Sequence, residues 1–102
     1  MWVRIARFEG ASPDSHDPRA EMIKSRLRDD AGTASGDEVP KAKRVMMLAD
    51  RVGGRWAGVQ FADTEDDIRR FDEYLHRQTP PPGSGTQSSV EIYEVLLDEE
   101  LT

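Results

Sequence analysis

Residues 44–77 read RVMMLADRVGGRWAGVQFADTEDDIRRFDEYLHR, and the fold turns on this stretch. Val45–Ala49 is an almost unbroken apolar run. Gly53 and Gly54 follow, and paired glycines accept the positive φ values that a tight hairpin requires. In the next run Ala57, Val59 and Phe61 alternate with Trp56, Gly58 and Gln60, the period-2 signature of a strand. The small Gly58 permits close approach of a neighbour. The stretch therefore predicts strands at Arg44–Arg51 and Arg55–Ala62 joined by a hairpin.

A helix follows over Thr64–Arg77. Thr64 with Asp67 three residues on is a weak capping box, and Glu65, Asp66 and Asp67 suit the positive end of a helix dipole. Ile68, Phe71 and Leu75 recur at helical spacing as a buried stripe, with Tyr74 beside it. The run Thr79-Pro80-Pro81-Pro82-Gly83-Ser84-Gly85 stops the helix.

Working outward, Trp2–Glu9 reads as a strand with Val3 and Ile5 on one face and Trp2, Arg4, Ala6 and Phe8 on the other. Pro18–Asp29 reads as a helix, with Asp17 as cap and Pro18 at the first helical position. Its apolar stripe is narrow (Ala20, Ile23 and Leu27), and Asp29 and Asp30 at the negative end favour fraying. Gly32–Pro40 is polar loop. Val90–Leu97 alternates again and predicts the last strand, before an acidic tail of Asp98, Glu99 and Glu100.

The order is βαββαβ. Two strand–helix–strand units predict a four-stranded antiparallel sheet with two helices on one face and the two outgoing strands in the middle, an α+β, ferredoxin-like arrangement. On this reading Val3, Ile5, Ala57, Val59 and Phe61 face the helices. Trp2, Ala6, Phe8 and Trp56 lie on the open face, which is too apolar for water. A second copy, sheet against sheet, is the expected cover. Arg4, Gln60 and Glu94 are expected there as a polar group or a dimer-interface ion pair.

Composition bounds the function. The chain has 102 residues, fits one domain spanning 1–102, and carries a net charge of −6. A mean hydropathy of −0.71 and an isoelectric point near 4.8 describe a polar, acidic chain. Nucleic acid is a poor partner for it, because phosphate binding needs a concentrated positive field. There is no long apolar run and no leader-like start, so no membrane span is expected and a cytoplasmic location is the default. The absence of Cys excludes disulfides, thiolate metal sites and cysteine nucleophiles. No serine sits in a nucleophile-elbow context, and Gly83-Ser84-Gly85 does not lead from a strand into a helix as a phosphate cradle does.

The segments WVRIARFEG, AKRVMMLADRVGGRWAGVQFADTEDDIRRFDEYL and SVEIYEVLL together resemble the dimeric α+β barrel proteins, the ferredoxin-like group that includes antibiotic-biosynthesis-type monooxygenases. The most typical feature is the strand that runs straight into an acidic helix start, FADTEDDIRRF. The resemblance covers nearly the whole chain and rests on element order. It implies a homodimer paired through the open sheet faces, and a small-molecule pocket between sheet and helices. Heme-degrading relatives use an Asn–Trp–His constellation. This chain has no Asn, and neither Trp56 nor Phe71 stands at the expected spacing from His76, which counts against heme degradation. Quinone-forming relatives work without cofactors through Tyr, Trp, Asn and Arg, and Trp56, Tyr74, Tyr93 and Arg7 match by type.

The resulting expectation is a protein that binds or acts on an apolar, aromatic compound without a metal or cofactor. Arg7 would orient a polar substituent and His76 or Tyr74 would handle a proton, while Trp56, Phe61, Phe71 and Ile5 would line the ligand. Two plainer readings stand beside it. His76 suits the negative end of its helix as a cap, and the apolar set suits a filled core in a non-catalytic homodimer. His16, between Asp14 and Asp17, reads as turn and cap chemistry before it reads as a metal ligand.

Overall fold

The computed structural model describes residues 1–33, 42–77 and 83–101. The chain forms β1 (Trp2–Glu9), a 3-10 turn (Pro13–Ser15), α1 (His16–Thr33), β2 (Arg44–Asp50), β3 (Arg55–Ala62), α2 (Glu65–His76) and β4 (Thr86–Glu94). The strands make one antiparallel sheet in the order β2-β3-β1-β4. This is an α+β architecture compatible with a ferredoxin-like fold, with β1 and β3 central as the topology predicts. Among the described residues no helix is long and apolar enough to cross a membrane.

Local chemistry explains the elements. The β2–β3 hairpin is held by Asp50, whose carboxylate accepts from Gly53 N (3.0 Å) and Arg55 Nη2 (2.6 Å). Gly54 takes φ +66°, and its carbonyl accepts from Ala11 N at 2.9 Å. Thr64 caps α2 by accepting from Asp67 N at 3.1 Å. Glu65–Arg69 and Asp66–Arg70 pairs line its exposed side. Ile68 and Phe71 are buried beneath it.

Four boundaries differ from expectation by more than one residue. β4 starts at Thr86 and ends at Glu94, earlier than Val90–Leu97. Its polar first half, Thr86–Ser89, is strand because it pairs along β1 out to Glu9↔Thr86, across a bulge at Arg7/Phe8. Pairing, not hydropathy, sets that edge. α1 starts at His16, because the turn at Pro13–Ser15 has already wound the chain, and it continues past Asp29 and Asp30 to Thr33. Most of the expected Gly32–Pro40 loop, the proline run that should end α2, and the Leu27 side chain lie outside the described residues.

The larger correction concerns which sheet face is covered. Paired residues on neighbouring strands share a face. Arg4 on β1 reaches Asp72 on α2, so Arg4, Ala6 and Phe8 face the helices with their β3 partners Gln60, Gly58 and Trp56. Val3, Ile5, Val59 and Phe61 lie on the opposite face with Met46 and Leu48. The two-residue period separates the sets correctly but does not say which set points inward. A charged residue reads as outward until a partner for it is known. Arg4 has one: Nε donates to Asp72 Oδ1 at 2.6 Å and Nη1 to Gln60 Oε1 at 3.0 Å. Glu94 takes no part in this group and is exposed beside Trp2 on the register.

Candidate ligand-binding cavity

Turning Arg4, Ala6, Phe8, Trp56, Gly58 and Gln60 toward the helices leaves the helix–sheet space only partly filled. A cavity of about 430 Å³ lies there. Ala6 and Gly58 make its floor shallow, since neither carries a bulky side chain. A Cβ added at Gly58 would sit 3.0 Å from the Gln60 amide nitrogen and 3.8 Å from the Trp56 ring, so the small residue keeps this floor open. α2 supplies Phe71, Tyr74, Leu75 and His76; α1 supplies Arg19, Met22 and Ile23.

The aromatic side of the cavity is ordered by stacking. The Phe8 and Trp56 rings lie 4.1 Å apart and nearly parallel. Trp56 Nε1 donates to the Ser84 carbonyl at 2.9 Å, which fixes the indole. Phe71 and Tyr74 meet at 5.8 Å in a tilted arrangement.

Two arginines face this space, and each is only 3 % exposed. Arg4 is neutralised by Asp72. Among the described residues Arg19 meets no carboxylate: Nε donates to Ser84 Oγ at 3.2 Å and Nη2 to Ser15 Oγ at 3.0 Å. Its guanidinium carbon lies 4.8 Å over the Trp56 ring. Among the described residues Nη1 has no hydrogen-bond partner. Burial pushes the guanidinium below its ordinary value, yet an arginine starts so high that it stays charged near neutrality.

Of the residues singled out in the sequence, Trp56, Phe71, Tyr74 and His76 come together at the cavity. His76 sits at its rim with 56 % of the side chain exposed. Its Nδ1 donates to the Asp72 carbonyl at 2.8 Å. Arg7, Ile5 and Phe61 are elsewhere. They lie on the sheet face away from the helices, because the facing is reversed. Arg7 there donates from Nε to Glu91 at 2.8 Å, and Glu91 also accepts from the Tyr93 hydroxyl. This carboxylate raises the Arg7 and Tyr93 values, while the two donors, Tyr93 first, lower that of Glu91.

His16 is buried outside the cavity lining, and its ring nitrogens have no hydrogen-bond partner among the described residues. Among those residues no group of three or more potential ligands is placed to hold a metal ion. Arg19 was not singled out by the sequence, and Arg4 was expected with Gln60 and Glu94 on the open sheet face rather than in the cavity. Arg19 did carry a signal: it stands four residues before Ile23 and so shares the inward stripe of α1.

Scanned against models of protein families, the chain matches none, and a search of curated proteins returns no relative.

Proposed function

We propose that this chain is a small-molecule-binding protein of the kind that resembles cofactor-independent monooxygenases, working on an apolar, aromatic compound as a homodimer. The observation that carries the reading is the cavity itself, whose apolar and aromatic lining is interrupted by a few convergent polar groups, the usual make-up of a ligand site. Trp56 and Phe71 offer ring surfaces, and Tyr74 and His76 stand where a bound molecule would meet a phenol and an imidazole. Arg7 leaves this scheme. Ile5 and Phe61 move to the dimer face.

That face supports the second half of the proposal. Val3, Ile5, Met46, Leu48, Val59 and Phe61 share it, with Leu48 48 % exposed and Tyr93 50 % exposed. The helices cover only the other side. A second copy laid sheet to sheet would bury this surface and with it the Arg7–Glu91 pair.

Binding does not require catalysis here. The Nδ1 bond of His76 within its own helix also serves as an ordinary helix-end contact. Light scattering over a dilution series, followed by a thermal-shift screen of aromatic compounds, tests both halves. A persistent mass of twice the 11.5 kDa chain and a saturable rise in melting temperature are expected. A stable monomer would remove the paired-sheet proposal. A screen without any shift would remove the ligand site.

A further inference from the structure

We infer that the cavity takes an aromatic carboxylic acid, whose carboxylate is held by Arg19 while the ring occupies the apolar space beside Trp56 and Phe71. The inference rests on reading the cavity as a ligand site and names the class of compound that fits it.

The argument begins with an unmatched charge. A buried guanidinium normally meets an anion, because desolvating a cation without one is costly. Arg19 is as buried as Arg4, yet among the described residues it meets two hydroxyls and an indole face and no carboxylate. Scarcity does not explain this, since the chain holds 20 Asp and Glu against 14 Lys and Arg. Nor does a purely structural role. Bonds to Ser15 and Ser84 would tie α1 to the start of β4, but they use Nε and Nη2 and leave Nη1 without a partner among the described residues.

The remaining donor belongs to a side chain that lines the cavity. A planar guanidinium presents its N–H groups in the fork that matches a carboxylate. Trp56 and the two hydroxyls already fix that fork, so little freedom is lost on binding. Met22, Ile23, Ala6 and Phe71 give the same cavity apolar surface. A monoanion with an aromatic body matches both the single charge and the ring-lined wall.

The test uses matched pairs of acid and neutral amide: benzoate with benzamide, 2-naphthoate with 2-naphthamide, and indole-3-acetate with indole-3-acetamide. Affinities are measured by calorimetry for the wild-type chain, Arg19→Gln and Arg19→Lys, with thermal melts to confirm that each variant folds. At least one acid is expected to bind the wild type at least tenfold more tightly than its amide. Arg19→Gln should weaken that acid roughly ten- to hundredfold, the worth of a charge-assisted hydrogen bond, and leave the amide within about twofold. Arg19→Lys, which keeps the charge without the planar fork, should recover part of the loss. Acids and amides binding equally, or an acid indifferent to Arg19→Gln, would overturn the role of Arg19 and leave the cavity as a ligand site. If no member of any pair binds at millimolar concentration, both the ligand site and the inference fall.

Discussion

Arg4 and Arg19 stand in the same cavity, equally buried, and have opposite surroundings. Arg4 rises from the middle of β1 and is matched by Asp72 across the interface with α2, with Gln60 filling a further donor. Arg19 sits in the first turns of α1 against Trp56, with hydroxyls in place of an anion. The difference teaches which of the two is part of the scaffold. A satisfied buried ion pair fixes how a helix docks on a sheet. An unsatisfied buried cation costs stability, and such a cost persists where something else supplies the missing partner.

Breaking the Arg4 pair is expected to have the largest effect. Asp72→Ala leaves a buried guanidinium without its anion and should destabilise the fold by about 2–4 kcal/mol. That lies at or below the usual range for a buried pair, because the Asp72 side chain is 24 % exposed. Urea unfolding measures it. Replacing both members, Arg4→Met with Asp72→Leu, should recover most of the loss, since an apolar pair of similar volume is close to neutral. If Asp72→Ala were harmless, Arg4 would not be the structural member of the two.

The same experiment on Arg19 should come out differently. Arg19→Met removes an uncompensated charge and keeps apolar contact with Trp56, so its unfolding free energy should stay within about 1 kcal/mol of wild type or rise. A loss as large as that of Asp72→Ala would make both arginines scaffold and erase the contrast.

The legibility of these features differs for physical reasons. The strands Trp2–Glu9 and Arg55–Ala62 and the helix after Thr64 could be read from alternation, paired glycines and an acidic cap, which are local signals. The orientation of the sheet could not. Arg4 read as part of the paired-sheet face because its partner Asp72 is sixty-eight positions away in the sequence, and reversing one face moved Ile5, Arg7 and Phe61 off the cavity together. β4 was misplaced by its polar first half, which is strand only because β1 is there to pair with it. Trp56, Phe71, Tyr74 and His76 did come together, because three of them belong to α2 and the fourth sits on a central strand.

The smallest expected effect lies away from the cavity, in the hairpin that holds β2 to β3. Arg55 first, and then the turn amide of Gly53, hold the Asp50 carboxyl below its ordinary value. A carboxyl depressed on folding contributes stability that is complete above its unfolded value of about 4 and is lost as pH falls through the lower folded one. Acid titration of stability should therefore show a shallower decline for Asp50→Asn than for wild type. The difference should be small, because the pair is solvent-exposed. An identical acid profile would show that the hairpin pair contributes nothing.

The contrast between the two arginines can be watched in one titration. With 15N-labelled protein, the side-chain Nε–H resonances of Arg4 and Arg19 are followed while 2-naphthoate is added. The account predicts a saturable shift of the Arg19 resonance with the Arg4 resonance nearly stationary. Movement of Arg4 without Arg19, or saturable binding that leaves both unmoved, would contradict it.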